Sequence, residues 1–203
     1  MNIQKNSGFT LVEISIVLVI IGLLIGGVLK GQEMINNAKI NRIASDFEGV
    51  SAAIFSYQDR YRSLPGDDNG ASARWGTGVT NGHSNGTITG NWNSTNNANE
   101  SRIFWQHLRN SNLIPGNTTG SNSYAQPKNA YGGLIGIEVT NFGMSGLVIC
   151  MSNISGPNAA IIDTKLDDGD PAAGSVRANT ANNATSGSTS YVAANTYVMC
   201  RKL

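Results

Sequence analysis

SGFTLVEISIVLVIIGLLIGGVLK, Ser7 to Lys30, decides how the rest of this 203-residue chain is read. From Phe9 to Leu29 the only clearly polar side chains are Thr10, Glu13 and Ser15. Helical rise carries that stretch over about 30 Å, one hydrocarbon core. The leader MNIQKNSG precedes it, with Lys5 as its only basic side chain. A basic flank stays cytoplasmic, so the bulk of the chain belongs outside. Glu13 is the anomaly, because a carboxylate in hydrocarbon is costly and is kept where something pairs with it. Three readings compete. A secretory signal cut after the apolar run wants an A-x-A pattern, and only Gly26 and Gly27 followed at once by Lys30 stand there. A plain anchor explains the length and leaves Glu13 without a role. A cut before the apolar run, between Gly8 and Phe9, is the third.

GFTLVE followed by about twenty apolar residues resembles the class III signal of type IV pilins and type II secretion pseudopilins. The residues that match are Gly8 before the cut, Phe9 after it and Glu13 as the fifth mature residue. The resemblance implies cleavage by a prepilin peptidase and N-methylation of the new Phe9 amine by the same peptidase/methyltransferase. That amine stays cationic after methylation. In a stack of subunits the Glu13 of one chain can meet the Phe9 amine of the next, where low dielectric strengthens the attraction. Pairing within one chain at the i, i+4 spacing is the alternative; the resemblance favours the intersubunit pair. Related pilins often carry proline at the position of Lys30, and this chain departs from that pattern. Gly22, Gly26, Gly27 and Gly31 each weaken the helix by up to about 1 kcal/mol relative to Ala, or allow helices to pack closely in the membrane.

Beyond Lys30 the chain turns polar and keeps a helical period. Ile43, Phe47, Val50, Ile54, Tyr57 and Tyr61 form one apolar stripe, with Lys39, Arg42, Asp46, Gln58 and Asp59 opposite. LPGDD, Leu64 to Asp68, ends the run. One helix from Phe9 to Arg62, roughly 80 Å long, is therefore expected. The expected fold class is α+β: a long N-terminal helix, membrane-spanning in its first half, packed by its second half on a small antiparallel sheet with loop-rich insertions. The expected divisions are a leader at 1–8, a transmembrane assembly half at 9–29, an amphipathic half at 30–62 and an extracytoplasmic head at 63–203.

In the head, residues 69–99 read as a long surface loop, or a disordered one, with a short strand near Thr87–Thr89 and with Trp75 and Trp92 as pins. ESRIFWQHLRNSNLIPG, Glu100 to Gly116, reads as a short amphipathic helix closed by Pro115–Gly116. FWQHL with LIPG also resembles a recurring feature of pilin-like proteins with the LPGDD turn. His107 is expected to pack rather than to ligate, and His83 has no metal-spaced companion. Leu134–Thr140 and Gly146–Met151, separated by NFGMS, predict a hairpin. A helix is expected over Asn158–Leu166 behind Pro157, and a last strand over Tyr191–Cys200. Cys150 and Cys200 can form one disulfide in an oxidising compartment, or stand as two unpaired buried thiols. A bridge closing that loop contributes about 4 kcal/mol. In type IV pilins a C-terminal disulfide bounds a variable loop, and this pair fits that place.

Charged residues are only 13% of the chain and net charge is +1, so no basic footprint for nucleic acid appears. DTKLDDGDPAAG, Asp163 to Gly174, is the one acidic cluster, in which Asp167, Asp168 and Asp170 can offer oxygens to calcium or serve as a solvated turn. No nucleophile-and-base set, phosphate loop or zinc spacing marks an enzyme. The functional expectation is a structural pilin of a type IV pilus. Its rivals are a minor pilin or pseudopilin of a type II secretion system, and a membrane-anchored extracytoplasmic binding protein that does not polymerise. The resemblance implies identical or related pilins as partners, and an inner-membrane assembly machinery with a cytoplasmic ATPase. It also implies a bacterial inner-membrane precursor with a cytoplasmic N-terminus, ending in a surface filament or a periplasmic pseudopilus.

Overall fold

The computed structural model describes residues 9–203, so Gly8, Lys5 and the leader expected at 1–8 lie outside the described residues. Helix α1 runs over Leu11–Tyr61. After it come α2 (Ala71–Trp75), α3 (Glu100–Asn110), a 3-10 turn at Ser121–Tyr124, β1 (Ile135–Asn141), β2 (Met144–Ser155), α4 (Gly156–Leu166), β3 (Val176–Asn179) and β4 (Thr196–Lys202). The chain separates into two compact units, one ending at Lys39 and one spanning Ile40–Leu203.

In the first unit every residue from Leu11 to Leu29 is exposed, and the segment is long and apolar enough to cross a membrane. The four glycines do not interrupt the helix, and a Cβ on any of them would meet nothing within 4 Å. Among the described residues, therefore, no packing demands them. Lys30 and Glu33 form an exposed ion pair one turn apart, at 2.8 Å.

In the second unit the expected stripe becomes the core. Ile43, Phe47, Val50, Ile54 and Tyr57 are buried, joined by Ile40, Ala44 and Ala53, while Tyr61 is half-buried against the same cluster. They meet Phe104, Trp105 and Leu108 of α3, Ala159 and Ile162 of α4, and one face of the sheet. The sheet is antiparallel with four strands in the order β1-β2-β4-β3. Alternation sorts its side chains. Ile135, Ile137, Ile149, Met151, Met199, Val176 and Ala178 face the helices, whereas Val148, Cys150, Val198 and Cys200 face a second cluster with Trp92, Phe142 and Met144. Loops cover that second face, so both sides of the sheet are buried. The hairpin turns through Phe142 and Gly143 at φ of 49° and 73°, the pair of left-handed residues that a tight two-residue connection requires.

Four expectations need correction. No strand forms at Thr87–Thr89; that stretch is held by side chains instead, as described below. Residues 69–99 contain the helical turn α2. The last strand begins at Thr196, because residues before it cross the start of α4, where the Gly156 N–H donates to the Asn195 carbonyl at 2.9 Å. Strand β3 was not expected, and pairs with β4 from Val176↔Arg201 to Asn179↔Val198.

Candidate functional site

Glu13 sits in the first turn of α1, and its partner is Thr10. The Thr10 amide and hydroxyl both donate to Glu13 Oε2 at 2.8 Å, and the Glu13 amide donates to Thr10 Oγ1 at 3.3 Å. This is a reciprocal capping box: two of the amides that a helix start leaves unpaired are satisfied by one side-chain pair. The T-x-x-E spacing ahead of an apolar run carries that signal in the sequence, and Thr10 is the residue that sequence reasoning passed over. Phe9 is 84% exposed and makes no bond to Glu13 among the described contacts. Ser15 turns its hydroxyl back onto the Leu11 and Val12 carbonyls, both at 2.9 Å, which keeps it satisfied without water. One helix therefore presents a capped carboxylate on an otherwise bare apolar cylinder.

The head's polar residues fasten its long loop. Asp67 accepts the Asn85 and Gly86 amides at 2.9 and 2.7 Å. Asp68 accepts the Tyr57 hydroxyl at 2.7 Å and the Gly70 amide at 2.8 Å, and pairs with Arg74. The Arg74 guanidinium lies 4.7 Å over the Tyr61 ring and 5.0 Å over Trp75. Glu100 is fully buried and accepts from the His83 amide (2.9 Å), the His83 ring (2.7 Å), and the Thr89 amide and hydroxyl (2.8 and 2.9 Å). Burial pushes its carboxyl up, but these donors outweigh that and hold it below the usual carboxylate range.

LPGDD and FWQHL meet directly: the Gly66 amide donates to His107 Nδ1 at 2.9 Å, and His107 Nε2 lies 2.7 Å from the Thr80 carbonyl. A ring that accepts at one nitrogen and donates at the other is neutral, and burial pushes His107 down to about 4. His107 is thus a fastener. His83 pairs with Glu100, with its own side chain two-thirds exposed.

On the sheet's second face Glu138 of β1 is 6% exposed and accepts the Trp92 amide at 3.0 Å. Burial pushes its carboxyl up to about 7, against the Trp92 and Asn141 donors. Cys150 and Cys200 are cross-strand partners in the central pair β2–β4 and are joined as a disulfide. The acidic residues divide differently from the sequence expectation. Asp163, Asp167 and Asp168 draw together, whereas Asp170 caps its own turn through the Ala172 amide at 2.9 Å. Asp163 opens the acidic stretch in the sequence but was not among the expected oxygen donors, although it stands one helical turn before Asp167.

Residues 3–29 match the family model described as the prokaryotic N-terminal methylation motif. Comparison with curated proteins and with solved structures gives no match. The motif with its apolar helix fits a membrane-anchored precursor processed by a prepilin peptidase. Over residues 3–29 the chain carries the prokaryotic N-terminal methylation motif, and this segment supports its likeness to type IV pilins and pseudopilins.

Proposed function

We propose that this chain is a structural subunit of a type IV pilus, assembled through its N-terminal helix after cleavage between Gly8 and Phe9 and methylation of Phe9. One observation carries the reading: an apolar helix without a single buried side chain from Leu11 to Leu29, led by a carboxylate bonded to its own first turn. Such a surface needs lipid before assembly and other helices afterwards. The capping box gives Glu13 a partner in the waiting precursor. On polymerisation the Phe9 ammonium of a neighbouring copy, a full positive charge, replaces or joins the Thr10 donors. The exchange favours docking and fixes axial register. The role is structural, with the head at the filament surface and identical or related pilins as partners.

A pseudopilus of a type II secretion system shares the motif and is the competing filament. The size of the head and the late disulfide favour the pilus. Intact-mass measurement on envelope protein tests the processing: loss of Met1–Gly8 plus one methyl group is expected. A product in fibres that still begins at Met1 would refute the proposal. Glu13→Ala then separates polymer from anchor. Processing and insertion should persist while incorporation into sheared surface filaments falls at least tenfold. Unchanged incorporation rejects the pairing. Filaments seen by electron microscopy only when a secretion system is overproduced point to the pseudopilus.

A further inference from the structure

A cavity of about 300 Å³ opens on the loop-covered face of the sheet, where β1 runs into the hairpin. Buried Glu138 borders it from β1. Its rim is polar and exposed, with Asn91, Thr140, Asn183 and Thr185. Three hydrogen bonds fix the wall opposite β1. The Trp92 indole N–H and the Asn141 side-chain amide donate to the Asn182 carbonyl at 3.0 and 3.2 Å, and the Phe142 amide donates to the Ala184 carbonyl at 3.3 Å. The wall therefore stands before any ligand arrives. A bulge in β1 shapes the near side. Register slips between Val139 and Asn141, leaving Thr140 as the extra residue, at φ 73°. A β-branched residue rarely adopts that conformation, and bulges are over-represented beside sites where they re-aim side chains.

Glu138 meets donors but no counter-charge. Its Oε2 accepts the Trp92 amide at 3.0 Å, and Asn141 adds a side-chain donor. Both donors are neutral. The segments 91–99 and 180–195 and the neighbouring strand β2 contain no charged residue. Two cations stand on the same face of the sheet. Arg177, opposite Cys200, spends Nη1 on the Phe142 carbonyl at 3.1 Å. Lys202 lies two strands away in the row Glu138, Val148, Lys202. Neither makes an ion pair with Glu138 among the described residues. A buried carboxylate without counter-charge is costly, and a glutamine would fill the same place without that cost. A cation entering the cavity accounts for the charge.

We propose that this cavity binds a primary ammonium group, with Glu138 as its counter-charge and the rim oxygens of Asn91, Thr140, Asn183 and Thr185 as its further acceptors. An ammonium carries three donors and no acceptor, so one carboxylate with neutral amide and hydroxyl oxygens suits it. A divalent metal wants a larger set of oxygens, usually with more than one carboxylate among them. A neutral sugar or alcohol would leave the carboxylate unpaired. The space, about that of ten water molecules, admits a small amine or the end of a lysine side chain from another chain. These are two sources of one chemistry.

The test uses the full chain in detergent micelles at pH 8, and is independent of whether the protein polymerises. The probes are ethanolamine for a free amine, N-acetyl-lysinamide for a lysine side chain, and ethylene glycol as the neutral counterpart of ethanolamine. Isothermal titration should show one site for an amine, and the tighter of the two identifies the source. At a hundredfold excess over Kd the melting temperature should rise by about 5–10 °C. From pH 8 to pH 6 the affinity should fall about tenfold, as Glu138 takes up a proton. Glu138→Gln should weaken binding at least tenfold while its own melt, without amine, moves upward, so that lost binding is separate from lost folding. The proposal is overturned if neither amine binds, or if ethylene glycol binds as well as ethanolamine. A shift reproduced by sodium chloride of equal ionic strength, or amine binding unchanged in Glu138→Gln, overturns it too.

Discussion

Replacing Glu138 with Gln should stabilise the head, and by an amount that depends on pH. The folded protein holds this carboxyl at about 7, against an ordinary value of 4.5, because β1 presents it to the loop-covered face of the sheet. Between those values the folded chain binds the proton and the unfolded chain does not. The contribution of this group is therefore intact below pH 4.5 and is lost as pH rises through 7. A displacement of that size corresponds to about 3 kcal/mol. Gln cannot ionise, and its carbonyl can still accept the Trp92 amide. The difference in unfolding free energy between Glu138→Gln and the parent should be near zero at pH 4.5 and reach about 3 kcal/mol above pH 7. That corresponds to a rise in melting temperature of about 6–12 °C at pH 8. Thermal melts of both proteins in the same micelles, from pH 4.5 to 8, give the difference profile, in which all other groups cancel. A flat profile, or a variant less stable at pH 8, refutes the assigned burial.

His107 works in the opposite direction. Burial lowers it from 6.5 to about 4, so in that window the unfolded chain binds the extra proton and stability falls as pH drops. The full loss is about 3 kcal/mol. The contributions of these two groups should therefore offset each other between pH 4.5 and 6.5, and Glu138→Gln should expose the acid lability that His107 confers. Cys150→Ser with Cys200→Ser should cost about 4 kcal/mol, read as an earlier denaturation midpoint with little change in native circular dichroism. Phe47→Ala, at a fully buried site between α1 and the sheet, should cost about 3–5 kcal/mol. The same change at exposed Phe55 should be within about 0.5 kcal/mol.

What could be seen in the sequence was what local periodicity encodes. The Ile43–Tyr57 stripe, the NFG turn and Pro157 at the start of α4 each state their structure within one or two turns of chain. Strand β3 does not: VRAN is too short to show alternation, and it is a strand because β4 lies beside it. Thr87–Thr89 has strand-like composition, but the Thr89 amide and hydroxyl are claimed by Glu100, a residue more than ten positions away. Likewise, the acidic cluster was visible as DDGD, whereas the residue that gives it depth, Asp163, shows its burial only once α4 packs. For Glu13 the sequence supplied the question, and the family resemblance supplied the intermolecular pairing that is proposed above. The nearer partner, Thr10, required attention to the helix start rather than to the membrane.

The disulfide also bears on mechanics. Its cysteines are 50 positions apart and face each other across the central strands, so α4, β3 and the first residues of β4 lie inside a closed covalent ring. A pull applied through the N-terminal helix can peel chain only as far as Cys150. About 170 Å of contour stays locked behind the bond. A fibre built from such heads would yield under load in two stages, distinguishable by adding a reductant to a stretched strand. The ring would be the part of the surface that a retracting or dragged fibre carries unchanged.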